Sequence, residues 1–146
     1  MGQYHVLANV DSQEWVDPHR LGLLSKQVEH LGAFYGTLAD ALYLLTMSSP
    51  ARGSGDLPET GVSGRWVGQR VCVLGDYTVD ADIPGVPDAG SLYERLEEPE
   101  AGWVDISAMV ADAMQIAFGV SLTAETRSIT SAKDQSTWEW TSWTRI

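Results

Sequence analysis

The chain has 146 residues, 44% of them hydrophobic and including six Trp, five Tyr and two Phe; 20 acidic residues against nine basic ones give a formal net charge of −11. Length and composition predict a single globular domain over residues 1–146 and exclude a chain disordered throughout. The acidity argues against direct binding of nucleic acid, whose phosphates need clustered Lys and Arg, and no apolar stretch reaches the ~18 residues of a membrane span.

Residues 3–10 alternate, with Tyr4, Val6, Ala8 and Val10 on one face and Gln3, His5, Leu7 and Asn9 on the other. That period of two predicts a half-buried strand. Asp11-Ser12-Gln13 is turn chemistry, and residues 14–17 can return as a second strand until Pro18 ends it. Residues 21–32 place Leu21, Leu24, Val28 and Leu31 at helical spacing, with Gly32 as a stop. Residues 33–47 make the strongest helical pattern, with Phe34, Leu38, Leu42 and Leu45 in one stripe. Tyr35, Tyr43, Leu44 and Met47 extend its apolar surface almost all round, which predicts burial on two sides. Residues 48–64 are rich in Ser, Pro and Gly and predict a flexible loop, longer than compact domains usually carry.

The stretch from Arg65 to Thr78 reads as the organising element. Val71-Cys72-Val73-Leu74 is a short apolar run ending at Gly75, the pattern of a strand buried on both faces and central in a sheet. Cys72, the single cysteine, then reads as a buried structural thiol. With no internal disulfide available and no basic segment preceding an apolar one, a cytoplasmic location is expected.

Residues 79–91 read as a second loop. Asp80 and Asp82 have calcium-loop spacing, but the Gly and distal Glu of an EF-hand are out of register, and no metal site is expected. Residues 91–96 predict a helical turn. The densest acidic patch spans residues 94–100 and is broken by Pro99. The acidity reads either as solubility or as a charged decoy for a partner's nucleic-acid groove. A last helix starts with Asp105 or Ser107 as N-cap, carries Ile106, Met109, Val110, Ala113, Met114 and Ala117 as its stripe, and stops at Gly119. The tail predicts a Trp-rich hairpin from about residue 121, with Trp138 and Trp140 on one strand face as interaction aromatics or as cover for a core edge.

Four segments together carry a resemblance: Met1-Gly2-Gln3-Tyr4-His5 with Asn9 and Asp11; residues 17–22 (Asp-Pro-His-Arg-Leu-Gly); residues 66–71 (Trp-Val-Gly-Gln-Arg-Val) with Gly75-Asp76-Tyr77; and residues 103–107 (Trp-Val-Asp-Ile-Ser). The set resembles a family of small proteins encoded by phages and by bacteria, mostly actinobacterial, over roughly residues 1–107. The resemblance implies a cytosolic phage or mobile-element context and no reaction. The Trp-rich tail lies outside it.

No Gly-x-Ser-x-Gly, P-loop or dinucleotide fingerprint is present, so no cofactor is expected. His5, His19 and His30 are not at ligand spacing with one another, and no zinc site is expected. The candidate ligand or partner site is Asp76 with Tyr77, at the mouth of the central strand, near Asn9 or His19. There Asp76 acts as a general base or polar anchor, or simply satisfies turn amides while Tyr77 covers the sheet edge. The expected fold is α+β, a mostly antiparallel sheet from residues 3–10, 14–17, 69–75 and the tail, with two to three helices packed on it. The expected function is a non-enzymatic protein-interaction module with a protein partner, binding no membrane. The competing expectations are a small ligand binder, hydrolase or transferase centred on Asp76, and an assembly component forming a homo-oligomer through the 33–47 helix.

Overall fold

A five-residue strand, β1 (His5–Asn9), lies at the centre of the structure, and all five of its residues are buried. The structure is a computed structural model that describes residues 3–21, 38–48 and 57–119. β1 pairs antiparallel with β2 (Glu14–Val16) across the Val10–Gln13 turn, and on its other side with β3 (Val71–Gly75). A two-residue strand, β4 (Val104–Asp105), adds to β2 in parallel, giving the order β3-β1-β2-β4. The fold is α+β with a mostly antiparallel sheet, as the residue pattern predicts, and the parallel β2–β4 pair makes that sheet mixed.

The expectation for the organising strand is corrected. β3 is an edge strand, not the central one, and Val73 on it is 54% exposed. β1 takes the central place and is buried throughout, whereas the alternation over residues 3–10 predicted a strand buried on one face only. The reason is that both faces of β1 are covered. Leu7 and Val16 face one core with Trp66, Val62, α1 (Leu38–Thr46) and α3 (Ser107–Phe118). Val6, Ala8, Trp15 and Leu74 face a second core closed by Leu92 and Leu96, from and just after the short helix α2 (Leu92–Arg95). Asn9 is tolerated inside because the fold supplies hydrogen bonds to its side chain. Cys72 is only partly buried on the second core, and that burial pushes its thiol pKa up.

α1 presents Leu38, Ala41, Leu44 and Leu45 to the first core, whereas Tyr43 is 60% exposed. The apolar surface predicted to run almost all round the helix is therefore one-sided here. The last turn of α1 leaves carbonyls without intrahelical donors. Gly64 N–H donates to Leu44 O and Trp66 N–H to Leu45 O, both at 2.8 Å. This approach needs glycine at position 64: φ is +73°, and a Cβ would lie 2.9 Å from Met47 O. So the described end of the glycine-rich stretch is core structure, with Val62 1% exposed. Residues 49–56 lie outside the described part, as do the helix predicted over residues 21–32 (beyond Leu21), residues 33–37 of the next one, and the predicted tail hairpin.

The N-cap of α3 is Ile106, with no side-chain cap, and not Asp105 or Ser107 as expected; Asp105 Oδ1 instead accepts from Ser107 N–H, the first helical residue, at 2.8 Å, and the helix ends at Gly119 in the left-handed region. Ile106, Val110, Ala113 and Met114 are buried as predicted, but Met109 is exposed. Residues 79–91 form two 3-10 turns, Asp80–Asp82 and Ala89–Ser91, pinned by Gly90 N–H donating to Asp80 Oδ1 at 2.7 Å. Among the described residues no helix is long and apolar enough to cross a membrane.

Candidate functional site

The four residues expected to form one site are divided between the two ends of the sheet. β1 pairs His5 with Gly75 and Asn9 with Val71, so Asp76 and Asn9 lie at opposite ends, separated by about 13 Å of strand. Asp76 is held against the chain's start: Tyr4 N–H donates to its carboxylate and its own N–H donates to Tyr4 O, both at 3.1 Å. Tyr77 is 63% exposed and turned away from both cores. His19 does come to the Asp76 end, its ring 6.4 Å from that of Tyr4. The predicted grouping is therefore corrected to Asp76 and His19 around Tyr4, without Asn9. Trp138 and Trp140 lie outside the described residues.

Asn9 is a structural anchor. It has no exposed surface, and its Oδ1 accepts the N–H groups of Asp11 and Ser12 at 3.0 Å each, closing the β1–β2 turn. Its Nδ2 donates to Gln69 Oε1 at 2.6 Å, joining that turn to the segment before β3. Asn9→Ala is expected to cost about 1–3 kcal/mol, because three part-buried hydrogen bonds that close the turn and tie it to Gln69 are lost together. A urea midpoint unchanged to within about 0.5 kcal/mol would contradict this assignment.

At the same end, Glu14 forms a second polar cluster with no motif signal in the sequence. It is 8% exposed, and it accepts from Arg65 Nε at 3.0 Å, Arg65 Nη2 at 2.5 Å and Trp66 Nε1 at 2.8 Å. Those donors, led by the Arg65 guanidinium, hold the Glu14 carboxyl below its ordinary range. Every one of its contacts is internal to the fold, so this cluster reads as a brace.

The open chemistry lies on the other face. A cleft of about 260 Å³ opens between β2 and α2, lined by Val6, Trp15, Asp17, His19, Tyr93, Glu94, Leu96 and Glu97. Val6 and Trp15 come from the sheet; Asp17 and His19 from the turn after β2; Tyr93, Glu94, Leu96 and Glu97 from α2 and the residues following it. The short helix is placed by burying Leu92 and Leu96 against Trp15 and Val6, and this swings its acidic side over the end of β2. Arg20 sits at the rim. Its guanidinium lies 5.7 Å from the Trp15 ring centroid, contacts Asp17 at 3.6 Å and Glu97 at 3.8 Å, and is bonded to Asp105. Burial, followed by the negative charges of Asp76, Asp17 and Glu97, pushes the Tyr93 phenol up. Tyr93 therefore stays a neutral hydroxyl at physiological pH.

Sequence reasoning located the acidic patch of residues 94–100 but not the cleft, since Trp15, Asp17 and Glu94 become neighbours only through the packing of Leu92 and Leu96. No group of three or more His, Cys, Asp or Glu among the described residues is placed to hold a metal ion. No protein-family model, curated protein or solved structure matches the chain.

Proposed function

We propose that this protein is a non-enzymatic interaction module that meets a protein partner through its acidic cleft face, in the cytosol and as a phage or mobile-element accessory factor. The observation carrying the reading is the convergence of Asp17, Glu94 and Glu97 on one aromatic-walled cleft, with Arg20 as the cation at its rim. Three carboxylates against one guanidinium leave a local negative excess, on a chain whose net charge is −11. Such a face steers a basic partner into contact and disfavours phosphate backbones. The phage or mobile-element context rests on the resemblance of residues 1–107 alone.

The test is a tagged full-length chain used to capture protein from bacterial lysate, washed at low and at high salt. One stoichiometric partner is expected, released at high salt because exposed charge contacts are screened, and captured less by the Glu94→Gln/Glu97→Gln variant. A partner that resists salt and ignores the variant would move the contact to another surface; absence of any stoichiometric partner would overturn the reading. The competing reading, a small-ligand site using Asp76, draws on Asp76 and His19 sharing Tyr4. It requires Asp76→Asn to abolish a ligand's thermal stabilisation while leaving the fold intact.

A further inference from the structure

We propose that the open edge of β3 joins two copies of this chain, β3 pairing antiparallel with β3 of the second copy about a two-fold axis at Cys72. This contact is separate from the cleft face and does not depend on the partner proposed for it. A row of backbone groups on β3 is unmet. Asp76 N–H donates to Tyr4 O at 3.1 Å and Val10 N–H to Arg70 O at 3.0 Å. In an antiparallel ladder that phase turns the backbone groups of Cys72 and Leu74 towards β1, and those of Val71, Val73 and Gly75 outwards. Gly75 is served locally: its N–H donates to Thr78 Oγ1 and its carbonyl accepts from Thr78 N–H, both at 3.2 Å. Val71 and Val73 have no backbone partner on the outer side among the described residues.

Nothing defends this edge. Natural edge strands are kept from pairing by charge, proline, a bulge or shortness. β3 is as long as β1, pairs with it without a bulge and reads Val-Cys-Val-Leu-Gly. β4, at the other edge, has only two residues.

Self-complementarity selects a second copy as the occupant. With the two Cys72 residues opposed, each Val71 exchanges two hydrogen bonds with Val73 of the second copy, so every unmet group of both edges is used and Gly75 keeps Thr78. The same register lays the exposed Val73 against Val71 of the second copy, a β-branched pair. The charges agree. β3 is uncharged, with Arg70 before it and Asp76 after it, both exposed. Antiparallel pairing brings Arg70 of each copy diagonal to Asp76 of the other, on one face and within reach of a long side chain. Arg70 uses Nε and Nη2 for Asp11 and keeps Nη1; Asp76 uses Oδ1 for Tyr4 and keeps Oδ2. A foreign strand of uniform charge would satisfy only one of the two. The pairing joins the two four-stranded sheets into one and leaves both clefts on the same side, since Val6 and Trp15, which line the cleft, share the Cys72 face.

The experiment combines sedimentation equilibrium of the full chain from about 10 to about 500 μM, a range suited to an interface of one strand edge, with amide hydrogen exchange of β3 followed by NMR at both ends of that range. A monomer–dimer equilibrium is expected. At the higher concentration the Val71 and Val73 amides should exchange about tenfold or more slowly than at the lower, while those of Cys72 and Leu74, already bonded to β1, change less. Val73→Lys should weaken association by about tenfold or more, because it lays an ammonium on Val71 of the second copy and sets two like charges diagonally. Val104→Lys, at the other edge of the sheet, should leave association unchanged. Both side chains are more than half exposed, and a urea midpoint at low concentration equal to that of the wild type shows each variant to be folded. A monomer throughout, a dimer indifferent to Val73→Lys, or a dimer lost in Val104→Lys would each overturn the proposal. So would Val71 and Val73 amides equally protected at both concentrations, which would mean that another part of the same chain covers the edge.

Discussion

Trp66→Ala is expected to remove about 3–5 kcal/mol of stability, a large share of the roughly 5–15 kcal/mol that holds a domain of this size together. Trp66 has no exposed surface and is the largest fully buried side chain in the described structure. Its ring fills the first core between β1, α1 and α3, its backbone N–H caps the Leu45 carbonyl, and its indole N–H donates to Glu14 at 2.8 Å. Truncation leaves a cavity and also deprives a buried carboxylate of a donor. Trp66→Phe separates the two effects. It restores most of the volume but not the N–H, so it should cost roughly 1–3 kcal/mol. Urea unfolding of the three proteins checks the ranking. A Trp66→Ala midpoint within about 1 kcal/mol of the wild type would show that residues 60–68 are not part of the core.

The second large effect is at Glu14. Glu14→Gln keeps the shape but takes the charge from Arg65, and the amide has a single acceptor oxygen for the four donors, from Arg65, Trp66 and Ser12, now met by two. Breaking a fully buried pair costs about 3–5 kcal/mol. The Arg65 side chain is 39% exposed and regains water, so about 1–3 kcal/mol is the better expectation here. The pH dependence has a definite sign. The folded-state pKa of Glu14 lies below its ordinary value of 4.5, so the stabilisation is fully present above that value. It drains away as pH falls from about 5 through the lowered folded pKa. The stability difference between wild type and Glu14→Gln should therefore be flat from about pH 5 to 8 and shrink in acid. Asp11, also lowered, by its hydrogen bonds with Arg70, is common to both proteins and cancels in the difference. A gap that stays constant down to about pH 3 would mean that the Glu14 carboxylate is not what the fold is using.

These two residues also mark how far the sequence could be read. Local signals carried well. The alternation of residues 3–10, the Asp11-Ser12-Gln13 turn, the stripe of Ile106, Val110, Ala113 and Met114, and Gly119 each act through neighbours in the chain. Each appears in the structure as strand, turn, helix face and stop. Together they suffice for α+β. Trp66, by contrast, belongs to a run of turns, and nothing near it in sequence marks it as the keystone of a core made by Leu7, Leu45 and Met114. Glu14 reads as the polar start of a strand until residues 65 and 66 arrive to bind it.

The order of the strands was likewise beyond local reading. An apolar run signals a preference for burial, but whether a strand is central depends on what covers its two faces. Two cores drawn from residues far apart in sequence cover β1, and hydrogen bonds from Asp11, Ser12 and Gln69 make its Asn9 acceptable inside. β3, more apolar by composition, is left at the edge. β4 has only two residues, too few for any periodicity, and exists because Val104 N–H and Ile106 N–H find the carbonyls of Gln13 and Trp15.

By itself, then, the sequence determined the class of fold, the main elements and an acidic surface, because propensity, periodicity and net charge are properties of neighbouring residues and of composition. Only the tertiary structure decided which strand is central, which tryptophan is the keystone, and that Asp17, Glu94 and Glu97 share one cleft with Trp15. Those outcomes depend on contacts across some eighty residues of chain, and the burial of Leu92 and Leu96 against the sheet, not any local pattern, brings the carboxylates together.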